Sequence, residues 1–142
     1  MYLLKSLSFL FLLFGLQWNT NLEDAKKEAV EKNKKILLNF SGSDWCVNCI
    51  KMEKNIFKKK EFETFAKDNL VLVNADFPQD EAKLADKQRK YNEGLAEKYN
   101  PTGHFPFTLL LDASGNIIYS WDGYPKGKME DFLETLKNEC SK

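Results

Sequence analysis

With 142 residues, 43% of them hydrophobic, the chain is long enough for one compact domain with a buried core and too short for two. Its 21 basic residues balance 21 acidic ones, so the charge gives no reason to expect a protein that binds nucleic acid or a membrane surface. Three cysteines are too few for a small domain stapled by disulfides. Two of them are spaced C-x-x-C, which indicates a functional pair plus one extra cysteine.

The N-terminal segment differs from the rest of the chain. Lys5 is its only charged residue, and residues 7–16 are almost all Leu and Phe. Because this apolar run is about half the ~20 residues of a membrane-spanning helix, it predicts a secretory signal peptide over residues 1–17, cleaved near Gln17. An uncleaved anchor is the alternative. The mature domain then covers residues 18–142, with no stable membrane span, and we expect a periplasmic or secreted protein.

The first half of the mature domain is predicted to alternate helix and strand. Residues 20–23 have the form of a helix-capping box, and the apolar positions after them recur at helical spacing as far as Val30. The apolar run 36–40 predicts a buried strand. The cysteine pair then begins a helix through about Lys54, and phenylalanines at helical spacing predict a short helix ending near Ala66.

The second half begins with a buried strand at 70–76, followed by a helical pattern over 80–99 that an Asn-Pro-Thr-Gly sequence ends. The runs 107–111 and 116–120 are joined by a short turn, which predicts an antiparallel hairpin. The last helix is predicted over about 126–138.

This order of elements predicts an α/β fold with a central mixed four-stranded sheet and helices on both faces. Strands separated by helices are expected to pair in parallel through right-handed crossovers, and the hairpin adds an antiparallel edge. The cysteine pair follows the carboxyl end of the first predicted strand, where open α/β sheets place their functional sites.

Cys46 and Cys49 lie at the predicted start of a helix. The unpaired N–H groups and partial positive charge of a helix N-terminus stabilise a thiolate and lower the pKa of a cysteine there. We therefore expect Cys46 to be the exposed nucleophile. Cys49, three residues later on the same face, is expected to be the more buried thiol that resolves a mixed disulfide. Together they predict a redox-active disulfide that needs no cofactor.

The run Asp-Trp-Cys-Val-Asn-Cys at 44–49, after a buried strand, resembles the active site of the thioredoxin superfamily. The likeness extends over about residues 21–138 and is strongest to exported thioredoxin-like proteins. Pro106, within Phe-Pro-Phe, resembles the cis-proline that opens the third strand of that family and faces the cysteines. The resemblance implies a thioredoxin-like fold and an enzyme, a thiol–disulfide oxidoreductase that reduces, forms or exchanges disulfides in partner proteins.

The same resemblance implies a substrate-binding surface formed by Trp45, Phe105 and Pro106. In the family, the cis-proline loop offers backbone groups to the substrate chain in the manner of an added strand. Trp45 is equally open to interpretation as a packing aromatic residue, and Gly123 resembles a family glycine near the site or serves a simple turn. The implied partners are proteins that carry a disulfide or a dithiol, together with a redox partner.

Two features depart from the family pattern. Asn39 stands where many thioredoxins have an Asp that helps to move the proton of the resolving cysteine, and Leu72 stands in place of the lysine that partners it. Because Asn cannot act as a general base near neutral pH, proton transfer from Cys49 must use water or proceed more slowly. The dipeptide Val47–Asn48 also replaces the common Gly-Pro, which leaves the direction of electron flow open.

Other site chemistries are weaker interpretations. The C-x-x-C pair is half of a zinc site that His104 and Cys140 could complete, but these two residues lack paired spacing, so we expect no metal. His104 is interpreted as a solvated loop residue, with modest tuning of Cys46 as the alternative. A hydrolase built on Cys46 and His104 is disfavoured because the neighbouring thiol would capture the nucleophile. A peptide-binding or chaperone-type module is the remaining alternative, and Cys140 is a free thiol or an intermolecular link.

Overall fold

The computed structural model of the protein describes residues 15–142, so most of the predicted signal peptide lies outside the described residues. Within them the chain forms one mixed sheet with helices on both faces. The strands are β1 (Trp18–Asn19), β2 (Lys35–Ser41), β3 (Leu70–Asp76), β4 (Phe107–Leu111) and β5 (Ile117–Asp122).

Five α-helices connect and flank these strands in the described part of the chain. Helix α2 continues directly into a π-helical turn at Glu53–Phe57, and a 3-10 turn at Glu81–Lys83 precedes α4. Among the described residues, no helix is both long and apolar enough to cross a membrane. The helices are α1 (Leu22–Lys32), α2 (Val47–Met52), α3 (Lys60–Asn69), α4 (Asp86–Tyr99) and α5 (Met129–Cys140).

The strands lie in the order β1-β3-β2-β4-β5, which confirms the predicted α/β class with a mixed sheet. The predicted count of four strands is wrong, because β1 adds a fifth at the edge. Trp18 and Asn19 pair in parallel with Leu72 and Val73, and the Asn19 amide also donates to the Leu72 carbonyl at 3.1 Å. A strand of two residues is too short to produce a sequence pattern.

The expected parallel pairing holds for β3 with β2 but is wrong for β4. Phe107, the first residue of β4, lies opposite Phe40 near the carboxyl end of β2, so these strands are antiparallel. Helix α4 carries the chain towards the amino end of β2, where the Tyr99 hydroxyl donates to the Gly115 carbonyl at 2.8 Å. The segment 100–106 then returns the chain to the carboxyl end of β2, where β4 begins. The predicted β4–β5 hairpin is confirmed.

Helix α1 begins one residue later than the predicted capping box. Asn21, and not Thr20, is the N-cap, and its side-chain oxygen accepts the N–H of Asp24 at 3.0 Å. Val30, which was expected on the buried face, is exposed because the buried face of α1 is formed by Leu22, Ala25 and Ala29.

The core lies on both faces of the sheet because β2 is buried on both sides. Ile36, Leu38 and Phe40 point to one face, where they pack against α1 and α4. Leu37 points to the other face, which α2, α3 and α5 cover. Alternate side chains of one strand therefore enter two separate apolar clusters, which fixes the register and direction of β2. The position of the end of β2 is therefore fixed, and so is the starting point of the loop that leads to the cysteines.

Candidate active site

The loop between β2 and the cysteines is held by the neighbouring strand β3. Ser41 and Asp76, the last residues of these parallel strands, lie side by side in the register. The Asp76 carboxylate accepts the backbone N–H of Ser43 at 2.9 Å and the Ser43 hydroxyl at 2.5 Å. A charged acceptor with two donors from one residue is a strong local restraint. The loop before the cysteines is therefore held at the carboxyl ends of β2 and β3.

Asp44 makes a second attachment, to the segment after β3. Its carboxylate accepts the backbone N–H groups of Asp80 at 3.0 Å and Gln79 at 2.8 Å, and Lys83 lies 3.5 Å away. The two backbone hydrogen bonds, with the lysine, lower the pKa of Asp44 below its ordinary value of 3.8. Ionised Asp44 thus joins the two loops that leave the ends of β2 and β3.

The two cysteines form a disulfide at the start of α2, with their Cα atoms 5.2 Å apart. Cys46 is the N-cap of the helix, and its sulfur accepts the backbone N–H of Cys49 at 3.2 Å. In the dithiol form, the same N–H group and the helix N-terminus would stabilise a Cys46 thiolate. Cys49 lies within the helix, where its sulfur has no comparable donor among the described residues.

The expected difference in exposure between the two cysteines is absent from the disulfide form. Cys46 and Cys49 are each 6% exposed. The S–S bond places each sulfur against the other, so both are covered. Their roles as nucleophile and resolving thiol stay a prediction, which depends on the N-cap position of Cys46.

Trp45 lies partly packed and partly exposed beside the disulfide, so it is a packing aromatic residue, and its contact with substrates stays a prediction. Its indole N–H donates to the Phe77 carbonyl at 2.7 Å, and its ring meets Phe105 edge-on with 5.5 Å between centroids. Phe105 in turn packs against Phe77 at 5.4 Å. A Cβ atom at Gly42 would overlap the Trp45 ring, so a glycine is required there.

Apolar side chains are exposed on the same side of the helix start. Trp45 is 45% exposed, Val47 77% and Ile50 50%, and we call these three residues the site patch. Each of them is next to Cys46 or Cys49 in the sequence, so the disulfide has exposed apolar neighbours. A patch of this kind next to a reactive group is typical of an interaction surface.

The Phe105–Pro106 peptide bond is cis, as predicted. Pro106 is buried, and its carbonyl accepts the N–H of Gly123 at 2.9 Å, where Gly123 has a φ of +80°. Pro106 immediately precedes β4, which pairs with the carboxyl end of β2. The contact between Phe105 and Trp45 then brings this loop to the disulfide.

His104 belongs to the same loop and is half-exposed. Its Nδ1 lies 2.8 Å from the Asp122 carboxylate. The Asn100 side chain accepts the His104 N–H at 3.0 Å and donates to the His104 carbonyl at 2.8 Å. Its position agrees with the interpretation as a solvated loop residue. In the part of the chain that the structure describes, no three His, Cys, Asp or Glu side chains are grouped to hold a metal ion.

A cavity of about 610 Å³ lies beside Cys49, which lines it together with Ile50 of the site patch. Asn39 and Asn74 line it too, and the Asn39 amide donates to the Asn74 side-chain oxygen at 3.1 Å. The Asn39 oxygen accepts the Thr108 hydroxyl at 2.9 Å. Asn39 is therefore hydrogen-bonded to uncharged groups, and Leu72 is buried in the apolar cluster under α3. The charge pair predicted to be missing is replaced by this amide and hydroxyl network.

Cys140 lies at the end of α5, away from the two other cysteines in the chain, and is a free thiol. Burial raises its pKa to about 11. At neutral pH this thiol is protonated, so it is a poor nucleophile.

Comparisons with known proteins agree with this geometry. The sequence model of the thioredoxin-like domain matches residues 22–138, and the chain belongs to this family. The disulfide bond reductase DsbH of Chlamydia pneumoniae is 41% identical over 113 residues, which cover 80% of this chain and 66% of that protein. The thioredoxin-related protein DsbJ of the same organism is 26% identical over 105 residues, 74% of this chain and 30% of that protein. The chain thus spans only part of the length of both relatives.

Solved structures give the same assignment. A DsbH oxidoreductase superimposes with a TM-score of 0.80 and 34% identity, covering 89% of this chain and 85% of that chain. A thioredoxin from Thermus thermophilus, at 15% identity, has a TM-score of 0.67 over 89% of this chain and 88% of that chain, which supports the fold alone. The predicted thioredoxin-like fold is confirmed, and so is the class of thiol–disulfide oxidoreductase.

Sequence reasoning missed several residues of the site. Asp76, Asn74 and Thr108 lie on strands whose other side chains are apolar, and a polar residue in a buried strand was the available signal. Gly42 carried no signal, because only the position of the Trp45 ring makes it necessary.

The lowered pKa of Asp44 predicts a pH-dependent stability. A carboxyl group whose pKa is lower in the folded than in the unfolded state stabilises the folded protein at pH values above the unfolded-state pKa. This stabilisation is lost as the pH falls through the folded-state pKa. We expect Asp44→Asn to have a lower urea midpoint than wild type at neutral pH, and the gap between the two midpoints to close as the pH falls below 3.8. A gap that stays constant down to strongly acidic pH would contradict this account.

Proposed function

We propose that the protein is an exported disulfide reductase, which transfers two electrons from the Cys46–Cys49 dithiol to disulfides in partner proteins. The Cys46 thiolate attacks a partner disulfide and forms a mixed disulfide. Cys49 then attacks the Cys46 sulfur, the partner leaves with both of its sulfurs reduced, and the pair becomes a disulfide. A dithiol protein acting as electron donor returns the pair to the reduced state.

The N-cap position of Cys46 is the observation that carries this proposal. Its sulfur already accepts the Cys49 N–H at 3.2 Å, so the donor that would stabilise a thiolate is in place before reduction. The reductive direction is supported by the 41% identity to a protein named as a disulfide bond reductase.

The partner surface is proposed to be the site patch together with the Phe105–Pro106 loop. The exposed rings and aliphatic side chains would contact the backbone and apolar side chains of an unfolded or flexible disulfide segment. That segment would lie along the loop before β4 in the manner of an added strand. The buried Pro106 and its hydrogen bond to Gly123 hold this loop in place.

Export is supported by the basic and then apolar start of the sequence. Strand β1 begins at Trp18, next to the proposed cleavage site near Gln17, so cleavage there would retain every described element. A periplasmic or secreted location would also let the pair meet proteins that contain disulfides. Detection of the mature N-terminus in a secreted or periplasmic fraction tests this part of the proposal.

The thiol roles predict a clear order among the cysteine variants. In an insulin-reduction assay, Cys46→Ser should lose nearly all activity because the attacking thiolate is gone. Cys49→Ser should also be inactive and should accumulate a mixed disulfide with the substrate, visible on a non-reducing gel. Cys140→Ser, which removes the free thiol, is the matched control and should retain wild-type activity. Undiminished activity in Cys46→Ser would remove Cys46 from the reaction, and a wild type without activity would favour a peptide-binding module.

The reductive direction predicts a low reduction potential for the Cys46–Cys49 pair. Equilibration with a glutathione buffer should give a value nearer to the about −270 mV of thioredoxin than to the about −120 mV of the oxidant DsbA. A value near that of DsbA would show that the pair forms disulfides.

The site patch predicts a selective loss of protein substrates. Ile50→Ser should raise the KM for reduction of insulin about threefold to tenfold, because burial of part of one aliphatic side chain contributes about 1 kcal/mol. The rate with a small aromatic disulfide should not change. Ile117→Ser is the control, since Ile117 is 56% exposed and lies at the opposite edge of the sheet. Equal KM values for wild type, Ile50→Ser and Ile117→Ser would show that Ile50 does not contact protein substrates.

A further inference from the structure

The carboxylate of Glu53 lines the cavity beside Cys49 and has no role in the steps described above. The uncharged lining of this cavity comes from the sheet, from the loop before α2 and from α2 itself, and includes the hydrogen-bonded Asn39 and Asn74 as well as Ile50. Its charged lining comes from the π-helical turn after α2 and from the residue that follows this turn. These charged residues are Glu53, Lys54 and Lys58, all exposed to solvent.

Glu53 lies on the face of the helix that carries Cys49. It follows Cys49 by four residues, and its backbone N–H donates to the Cys49 carbonyl. Side chains at this spacing are neighbours on a helix surface. Cys49 and Glu53 also line the same cavity, where Glu53 is the one carboxylate among the described lining residues.

The uncharged network cannot itself take a proton from a thiol. The Asn39 oxygen accepts the Thr108 hydroxyl, and the Asn74 oxygen accepts both the Asn39 amide and the Ser41 hydroxyl. These groups can hold a water molecule by hydrogen bonds, but none of them is a base near neutral pH. The volume of about 610 Å³ leaves room for water, and the polar lining supplies its partners.

The other charged groups near the cavity do not replace Glu53. Asp76 is not among the lining residues, and its carboxylate is occupied by the Ser41 hydroxyl at 3.4 Å and by the two donors of Ser43. Lys58 places its ammonium group 3.7 Å from the Glu53 carboxylate. This cation offsets the negative charge that Glu53 would otherwise present to a thiolate forming at Cys49.

We infer that Glu53 takes the proton of Cys49 through a water molecule in this cavity, in place of the buried Asp that this chain lacks; the inference rests on the proposed function. In the resolving step, the Cys49 thiol gives its proton to the water, which passes one to Glu53. The Cys49 sulfur bonds to Cys46, and the bond between Cys46 and the partner breaks. The partner sulfur leaves with the electron pair and takes a proton from solvent.

The two cysteines report separately when the reduced protein reacts with dithionitrobenzoate in the stopped flow. Attack by Cys46 releases the first coloured thiolate, and attack by Cys49 on the resulting mixed disulfide releases the second. A Cys140→Ser background removes the third thiol. The same experiment distinguishes the two proposals, because a wild type without a second release would overturn the proposed function itself.

Glu53→Gln is expected to slow the second release about tenfold or more at neutral pH and to change the first by less than about twofold. It should also make the second release rise more steeply with pH, because the step then depends on deprotonation of Cys49 by solvent. Loss of a nearby negative charge alone would have the opposite effect, because it lowers the pKa of Cys49 and makes the second release faster. An unchanged or faster second release would therefore overturn the inference.

Two further variants control for structural effects. Glu61→Gln removes an exposed carboxylate on α3 that does not line this cavity, and it should leave both releases unchanged. Glu53→Asp keeps the carboxylate on a shorter side chain and should restore part of the rate that Glu53→Gln loses. If Glu53→Asp and Glu53→Gln are equally slow while their urea midpoints match wild type, the carboxylate is not the proton acceptor.

Discussion

The parallel pairing of β2 with β3 is the constraint on which the site depends. It sets Ser41 beside Asp76, so that the two loops leaving these strands begin next to each other. Asp76 then holds the loop before the cysteines, and Asp44 holds the loop after β3. Because β2 is buried on both faces, it cannot shift without exposing one of the two apolar clusters. The position of the disulfide is thus a consequence of core packing.

The disulfide separates two environments of different chemistry. On one side, aromatic rings and exposed aliphatic side chains form a surface suited to a polypeptide. On the other, amides and hydroxyls surround a cavity that has a carboxylate and two ammonium groups at its exposed part. The two environments meet at Ile50, which belongs to the site patch and also lines the cavity. The chain keeps the general thioredoxin-like arrangement while using different polar residues behind the cysteines.

Most of the fold follows from patterns that the sequence displays. The buried run at 70–76 and the C-x-x-C spacing are local signals, and both were interpreted correctly. The direction of β4 was predicted wrongly. It depends on whether the segment after α4 starts β4 at the carboxyl end or at the amino end of β2, and no local pattern in the sequence indicates which. The network of Asn39, Asn74 and Thr108 was also out of reach, since it joins three strands whose register only the folded chain defines.

Burial of Cys140 has a consequence for the fidelity of the reaction. A reduced molecule holds three thiols, and any of them could in principle exchange with a disulfide. With a pKa of about 11, only about one Cys140 in ten thousand is ionised at neutral pH. Exchange rates follow the thiolate fraction, so scrambling through this cysteine is slow compared with the exchange proposed at Cys46. The protein thereby carries a spare thiol without offering it as an alternative route for electrons.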